Sequence, residues 1–171
     1  RCASSTHPSE EKICAIVHKK IKKKINNLLT IIIPRHIERT DSIKNELIDL
    51  NLKVHTHLPS RKIEKDTDIY LVNAYGQTKS FFSICKNVFL GGSLIDHGGQ
   101  NPLEAARYGC NILHGDNVSN FNEIYNFLKK NRVSKNVQNS KKMASSLQAL
   151  FKKNDDSMKI KTKINSIGNK I

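Results

Sequence analysis

The sequence predicts an α/β fold: a Rossmann-like, doubly wound parallel sheet with helices on both faces. Short apolar runs rich in β-branched residues alternate along the 171 residues with longer stretches whose apolar side chains recur at helical spacing. Such alternation is typical of parallel strands joined by crossover helices. Polar or glycine-containing loops follow several of the apolar runs, at the position where open parallel sheets bind their ligands.

The elements of the first half follow from local patterns. Continuous apolar runs predict strands that are buried on both faces. A stripe of Ile13, Val17, Ile21 and Ile25 at helical spacing predicts the first helix. We expect strands at 2–4, 28–33, 53–57 and 69–72, with helices at 9–27 and 41–50.

The second half continues the alternation and ends in a basic tail. We expect strands at 88–90 and 111–115 and helices at 78–86, 102–108, 119–130 and 141–153. Ser119 is expected to cap the helix at 119–130. The segment at 132–140 is polar and is expected to be mobile. In the tail, Ile160, Ile164 and Ile167 are spaced by four and three, which predicts either an amphipathic helix that docks elsewhere or a frayed end. The expected division is a Rossmann-like nucleotide-sugar-binding domain over 1–153, its first strand truncated, and a basic helix or tail over 154–171.

The stretch from Gly91 to Glu104 is the centre of the predicted site. It holds four of the eight glycines, which let a backbone turn tightly and a ligand approach closely. Asn101 is expected to cap a helix that Pro102 begins, with Glu104 completing a capping box. The free N–H groups of such a helix N-terminus suit a phosphate or a hydroxyl-rich ligand. The alternative is a strand-to-helix connection that needs its glycines for packing alone.

Four candidate ligand loops fall at the same kind of position, after a strand and before a helix. Because the carboxyl ends of parallel strands meet at one edge of the sheet, we expect the loops to form one crevice. The fork of Arg35 suits a phosphate or a carboxylate there, and the alternative is a surface ion pair with Glu38 or Asp41. His36 is expected to orient its loop. The four loops are Ser5-Thr6-His7, Pro34-Arg35, Tyr75-Gly76-Gln77 and the stretch from Gly91 to Glu104.

The net charge of +14 attracts polyanions such as nucleic acid, an anionic membrane or phosphorylated ligands. Lysine is spread over the whole chain, which indicates a compositional bias more than a patch. The run from Lys19 to Lys24 is either a solvated helix face or a contact with an anionic surface. A nucleic-acid-binding module would interleave aromatic with basic residues. Here tryptophan is absent and the aromatic residues lie in apolar patterns, which disfavours that class.

Cysteine usage and hydropathy bear on the compartment. None of the four cysteines forms a Cys-x-x-Cys pair, and Cys14, Cys85 and Cys110 lie in apolar patterns typical of small buried side chains. We therefore expect a reducing compartment and no zinc site.

No run of roughly 18 apolar residues occurs, so neither a membrane span nor a signal peptide is expected within the chain. Because the chain begins at Arg1 inside a predicted strand, we expect a fragment of a longer protein.

A set of short motifs identifies a family. In order they are Ser5-Thr6-His7-Pro8 with Glu10-Glu11, Pro34-Arg35-His36 with Glu38-Arg39, Gly91-Gly92-Ser93-Leu94, Gly98-Gly99 and Asn101-Pro102-Leu103-Glu104. Their order and spacing resemble the C-terminal domain of the bacterial 3-deoxy-D-manno-octulosonic acid (Kdo) transferases across roughly residues 2–128. The block at 101–104 after paired glycines is the most specific part of the resemblance.

The resemblance implies the C-terminal half of a GT-B glycosyltransferase, in which two Rossmann-like domains face each other. This half would bind the donor CMP-Kdo, while an N-terminal half would bind lipid A precursor and supply the catalytic carboxylate. Kdo transfer in lipopolysaccharide biosynthesis would take place at the cytoplasmic face of the bacterial inner membrane, without a metal or another cofactor. We therefore expect no catalytic residue in this chain, no activity of the chain alone, a possible contact with the anionic membrane surface and no nucleic-acid partner.

The resemblance also assigns nucleotide-binding roles to residues of three loops and supporting roles to further residues of the donor site. The resemblance implies that Pro34 and Arg35 contact CMP, that 75–77 contacts the nucleotide, and that 101–104 holds cytidine and ribose. Gln77 stands where the family usually has glutamate, so a charge is lost there, and Gln100 stands where histidine is also common. The nucleotide-binding residues are Pro34, Arg35, Tyr75, Gly76, Gln77, Asn101, Pro102, Leu103 and Glu104, and the supporting donor-site residues are Ser5, Thr6, His7, Gly91, Gly92, Ser93, Gly98 and Gly99.

One alternative stays open within the same fold. A different GT-B glycosyltransferase, or a sugar-nucleotide epimerase that uses another nucleotide, would place its ligand in the same crevice.

Overall fold

The computed structural model describes residues 1–168, and in this part of the chain seven strands alternate with helices. The strands are β1 (Cys2–Thr6), β2 (Thr30–Pro34), β3 (Val54–Thr56), β4 (Ile69–Leu71), β5 (Asn87–Leu90), β6 (Asn111–His114) and β7 (Ser134–Asn136). The α-helices are α1 (Glu10–Lys22), α2 (Thr40–Asp49), α3 (Thr78–Ile84), α4 (Leu103–Arg107), α5 (Asn122–Lys130), α6 (Ser140–Lys152) and α7 (Ser157–Gly168).

The strands form one parallel sheet in the order β3-β4-β2-β1-β5-β6-β7. Strands β2, β3 and β4 lie on one side of β1, and strands β5, β6 and β7 lie on its other side. The strand order therefore reverses between β1 and β5, which is the point where doubly wound sheets open a ligand crevice. The Rossmann-like prediction is confirmed.

Alternating side chains of the strands divide the core between two faces. Ala3, Ile32 and Phe89 belong to the apolar cluster that α1, α2 and α6 cover. Cys2 and Val88 belong to the cluster on the opposite face, to which α3, α4, α5 and α7 contribute. Since both faces are covered, nearly all side chains of the central strands β1, β2 and β5 are buried.

In the predicted tail, α7 runs from Ser157 to the last described residue, Gly168. Ile160 and Ile164 of α7 are buried in the cluster beneath α3, α4 and α5. At the start of α7, the main chain of Ser157 packs directly against Gly109, which follows α4. Residues 169–171, which belong to the expected tail segment 154–171, lie outside the described residues.

The segment at 132–140 was expected to be mobile, and this prediction is wrong. It contains β7, which pairs in parallel with β6 at the edge of the sheet. Val133 and Val137 on either side of β7 are buried, at 2% and 0% exposure. The strand has the sequence Ser-Lys-Asn, and a hydropathy pattern does not detect so polar a strand. Its order comes from pairing with β6.

Two helix limits also differ from the predictions. The first helix ends at Lys22 instead of near residue 27, and the asparagines at 26 and 27, which compete with helical hydrogen bonding, follow that end. Ser119 does not cap α5, because it begins a 3₁₀ turn over Ser119–Phe121 that precedes the helix.

Within residues 1–168, no helix is both long and apolar enough to cross a membrane.

Candidate functional site

A cleft of about 650 Å³ opens at the carboxyl ends of β1, β2 and β5. Its two sides are the loop that leads into α3 and the segment that includes α4. The cleft therefore lies at the carboxyl ends of the strands, as the sequence predicted, and at the reversal of strand order. The lining residues are Ser4, Ser5, Ile33, Pro34, Arg35, Ala74, Tyr75, Gly76, Gln77, Thr78, Phe82, Leu90, Gln100, Asn101, Leu103, Glu104 and Arg107.

The cleft brings together three of the predicted loops. Of the nine residues expected to bind nucleotide, all except Pro102 line it. Pro102 is buried beside them. Of the supporting residues, Ser5 lines the cleft, whereas the others do not: Thr6, His7, Gly91, Gly92, Ser93, Gly98 and Gly99. The expected roles of all these residues in binding stay predictions.

Arg35 is an exposed cation at the end of β2. Its main-chain N–H donates to the carbonyl oxygen of Thr6 at 2.9 Å, which fixes the backbone of Arg35 beside the end of β1. Among the described residues it forms no ion pair, since Glu38 instead lies 3.7 Å from Nδ1 of His36 and accepts from the hydroxyl of Tyr75. Of the two alternatives for Arg35, the structure therefore favours the one that faces the cleft.

The start of α4 is capped in part as predicted. Oδ1 of Asn101 accepts from the N–H of Leu103 at 3.0 Å. Glu104 does not close a capping box, because its carboxylate lies 3.7 Å from Nζ of Lys79 across the cleft. The helix has only five residues, so it contributes a smaller dipole to the cleft than a long helix would.

Glu10, which the sequence placed in a family motif without a role, joins two loops at the edge of the cleft. Its side chain is fully buried and accepts four main-chain N–H groups. Oε2 accepts from His7 at 2.9 Å and Gly92 at 2.8 Å, and Oε1 accepts from Ser93 at 3.2 Å and Leu94 at 3.0 Å. One carboxylate thus holds the glycine-rich loop against the loop after β1.

A similar contact orders the neighbouring loop. Glu11 is also fully buried, and its two carboxylate oxygens accept from the guanidinium of Arg39 at 3.0 and 3.2 Å. This bidentate pair connects α1 to the segment that follows β2. Both acids of the first helical turn therefore serve to position loops at the cleft edge.

The backbone near the end of β1 is strained where it meets the glycine-rich loop. Ser5 has a positive φ of 55°, which is uncommon for a residue other than glycine. A Cβ at Gly91 would lie 2.7 Å from the carbonyl carbon of Ser5 and 2.7 Å from Cα of Thr6. Only glycine permits this close approach of β5 to the end of β1.

His7 is a buried imidazole next to two exposed histidines. Its ring centroid lies 4.1 Å from that of His97 and 5.9 Å from that of His36. Burial, together with the nearby His97 and His36, lowers the pKa of His7 from 6.5 to about 4. The side chain is therefore neutral at pH 7.

We expect the free energy of unfolding to fall as the pH is lowered from 6.5 towards 4. In this window the unfolded chain binds a proton at His7 that the folded chain does not, so acid favours unfolding. Urea unfolding at several pH values measures the slope, and His7→Gln is expected to reduce it. An unchanged slope in that variant would contradict the shifted pKa.

Comparisons with known proteins were made by sequence and by structure. No family model matches the chain. The 3-deoxy-D-manno-octulosonic acid transferase of Rickettsia typhi is 32% identical over 157 residues, which are 89% of this chain and 33% of the relative. The enzyme of the same name from Haemophilus influenzae is 33% identical over 130 residues, 74% of this chain and 30% of the relative.

The chain is a homologue of the Kdo transferases. It spans about a third of the length of the curated relatives it matches. The crystal structure of the C-terminal CMP-Kdo binding domain of WaaA from Acinetobacter baumannii superposes with a TM-score of 0.86 at 23% identity, covering 97% of this chain and 86% of that chain. This chain therefore has the same fold as that domain.

Sequence reasoning about this Kdo transferase homologue missed several cleft residues. Ser4, Phe82, Leu90 and Arg107 line the cleft but belong to strand and helix patterns that also occur in ordinary cores. A serine within an apolar strand was the available signal for Ser4, which is 1% exposed. Within residues 1–168 its Oγ has no hydrogen-bond partner, which marks a polar place in the cleft floor.

Metal binding was not expected, and this expectation stays a prediction. Within residues 1–168, no three or more His, Cys, Asp or Glu side chains are grouped so that they could hold a metal ion.

Two of the cysteines expected to be buried, Cys14 and Cys110, are buried, whereas Cys85 is half-buried.

Proposed function

We propose that this chain is the donor-binding domain of a glycosyltransferase that transfers Kdo from CMP-Kdo to lipid A precursor. The observation that carries this proposal is the cleft, which gathers all but one of the residues expected to contact the nucleotide. The similar domain from Acinetobacter baumannii is a CMP-Kdo binding domain, which supports the choice of donor.

The polar groups of the cleft suit the parts of such a donor. The guanidinium of Arg35 is free to take the phosphate in a charge-assisted hydrogen bond. Glu104 and Asn101 on the opposite side can accept from ribose hydroxyls and from the exocyclic amine of cytosine. Gln77 offers an amide where a carboxylate is usual in the family, so it can both donate and accept.

In this proposal the chain binds and orients the donor, and the catalytic carboxylate and the lipid A precursor lie on a part of the enzyme outside this sequence. Turnover by the 171-residue chain alone would contradict that division. The cytoplasmic face of the bacterial inner membrane is the proposed location. The net charge of +14 supports contact with its anionic surface.

Arg35→Ala is expected to weaken the binding of CMP by about tenfold to a hundredfold, the loss for a hydrogen bond between charged groups. Isothermal titration of CMP into the chain measures this directly. Arg61→Ala is the matched control, because Arg61 is an exposed arginine in the β3–β4 loop, away from the cleft, and no change is expected. Equal affinities in the wild type and the Arg35 variant would contradict the phosphate role.

The same titration with UDP and GDP tests the alternative enzymes. Binding of either nucleotide in preference to CMP would support a different glycosyltransferase or an epimerase. A nucleotide present at a hundredfold its Kd should add about 2.7 kcal/mol to the free energy of unfolding, so a thermal-shift panel gives an independent reading.

A further inference from the structure

A groove of about 480 Å³ lies at the carboxyl ends of β6 and β7, at the outer edge of the sheet. None of its lining residues also lines the donor cleft. Because all seven strands are parallel, the groove opens at the same edge of the sheet as the cleft. The groove is therefore a second place, on the same side of the molecule, where a ligand could lie.

Three exposed lysines from three different elements line the groove. They are Lys129 of α5, Lys135 of β7 and Lys142 of α6. Within residues 1–168 none of the three forms an ion pair. The one acid in the lining, Asp116, accepts from the amide of Asn136 at 2.7 Å. The groove therefore carries an excess of positive charge, which attracts an anion.

A buried hydroxyl belongs to the same groove. Ser146 lines the groove although it is only 4% exposed. Within residues 1–168 its Oγ has no hydrogen-bond partner, whereas the hydroxyl of the neighbouring Ser145 donates to the carbonyl oxygen of Lys142 at 3.0 Å. Polar groups that are so deeply buried are almost always paired, so the hydroxyl of Ser146 indicates a partner supplied from the groove.

The geometry of α6 places this hydroxyl next to a lysine. Lys142 and Ser146 are four residues apart on a helix of 13 residues, so their side chains lie on the same face. Gln138, in the segment between β7 and α6, adds an amide to the lining. An anion in the groove can thus meet ammonium groups, a hydroxyl and an amide that come from separate parts of the chain.

We propose that the groove binds a phosphate monoester, for which Lys129, Lys135 and Lys142 supply the positive charge and Ser146 supplies a directed hydrogen bond. A phosphate monoester carries close to two negative charges at pH 7 and has three acceptor oxygens, so it can engage several donors at once. Lysine binds phosphate as a point charge and does not require the planar geometry that a carboxylate offers to arginine. The inference goes beyond the proposed function, because the donor is assigned to the cleft and the two sites share no residue.

Titration with inorganic phosphate, followed by the backbone amide signals in NMR spectra, tests the site directly. The signals of Gln138 and Ser146 should shift in a saturable way, and those of Arg35 and Gln77 report any binding in the cleft separately. Lys135→Gln/Lys142→Gln is expected to weaken binding in the groove by about tenfold, the loss for a hydrogen bond to a charged group. Both lysines are exposed, so the variant should fold.

Lys20→Gln/Lys24→Gln is the matched control for charge. It removes the same two positive charges from exposed positions on and just after α1, and no change in binding is expected. Equal weakening in the two double variants would overturn the proposal, because it would show attraction by net charge alone. The absence of saturable shifts at Gln138 and Ser146 in the wild type would also overturn it.

Ser146→Ala tests the directed hydrogen bond without any change of charge. Alanine is a good helix former, so α6 should be retained. Binding in the groove is expected to weaken by about threefold to tenfold, the loss for one hydrogen bond. Ser166→Ala, which removes an exposed hydroxyl from α7, is the control and should leave the affinity unchanged. An unchanged affinity in Ser146→Ala would contradict a built site.

Sedimentation with vesicles distinguishes a lipid-borne phosphate from a soluble one. Vesicles of phosphatidylcholine that contain phosphatidic acid carry a phosphate monoester, and vesicles that contain phosphatidylglycerol at the same charge carry only a diester. Preferential sedimentation with phosphatidic acid, lost in Lys135→Gln/Lys142→Gln, would assign the site to a lipid. Binding of inorganic phosphate without that preference would assign it to a soluble monoester. The phosphate titration does not depend on CMP, so its result and that of the CMP titration are independent.

Discussion

Glu10→Gln is expected to lower the free energy of unfolding by about 3 to 5 kcal/mol, the range for a buried polar network that loses one ionic partner. The substitution keeps the shape of the side chain and replaces one acceptor oxygen by an NH₂ donor. Each carboxylate oxygen accepts two main-chain N–H groups, so in either orientation of the amide two of them lose their acceptor and face another donor. Urea unfolding followed by circular dichroism measures the loss.

Glu123→Gln is the matched control, because Glu123 lies exposed on α5 and is expected to change stability by less than about 0.5 kcal/mol. The effect of Glu10→Gln should extend to function, since the same bonds hold the glycine-rich loop beside the cleft. We expect weaker CMP binding even at a temperature where the variant is folded. A Glu10→Gln variant as stable as wild type would show that the four bonds contribute little.

Gly91→Ala is expected to cost about 3 kcal/mol or more, at the upper end of the range for overpacking a dense core. The added methyl group would meet the backbone of Ser5 and Thr6, which cannot rotate away as a side chain can. β1 is the central strand of the sheet, bonded to β2 and β5, so the strain is shared by both neighbours. Differential scanning calorimetry gives the change in Tm.

Gly168→Ala is the control, since a Cβ there meets nothing within 4 Å and the expected change is within about 0.5 kcal/mol. We expect Gly91→Ala to affect the cleft as well, because the methyl group would push on Ser5, which lines it. A variant with the Tm of wild type would mean that β5 can move away from β1 without cost, contrary to the hydrogen bond of 2.8 Å between the N–H of Gly91 and the carbonyl oxygen of Ser4.

The cleft was predictable because its loops share one kind of position in the sequence. Each of the loops at 34–35, 75–77 and 91–104 follows an apolar run and precedes a helical pattern, and parallel strands bring such loops to one edge. Local patterns encode that position. They do not encode which side chains face the cleft, and so Ser4 and Arg107, which line it, were missed.

The role of Glu10 could not be predicted from its surroundings in the sequence. Its acceptor contacts join residues more than 80 positions apart, and an acid in the first turn of a helix has an ordinary explanation in the helix dipole. The strand β7 was missed for a related reason. Its order comes from pairing with β6, and its own polar residues give no hydropathy signal.

The sequence by itself determined the α/β class, the order of the first six strands and the helices between them, the edge of the sheet that carries the site, and the resemblance to the Kdo transferases. These properties depend on residue periodicity, on glycine and proline positions and on short motifs, all of which are local. The tertiary structure decided the contacts of Glu10, the pairing of β7 with β6 and the position of Arg35 in the cleft lining. Those features depend on distant segments packed to within hydrogen-bonding distance, and a one-dimensional pattern does not contain that distance.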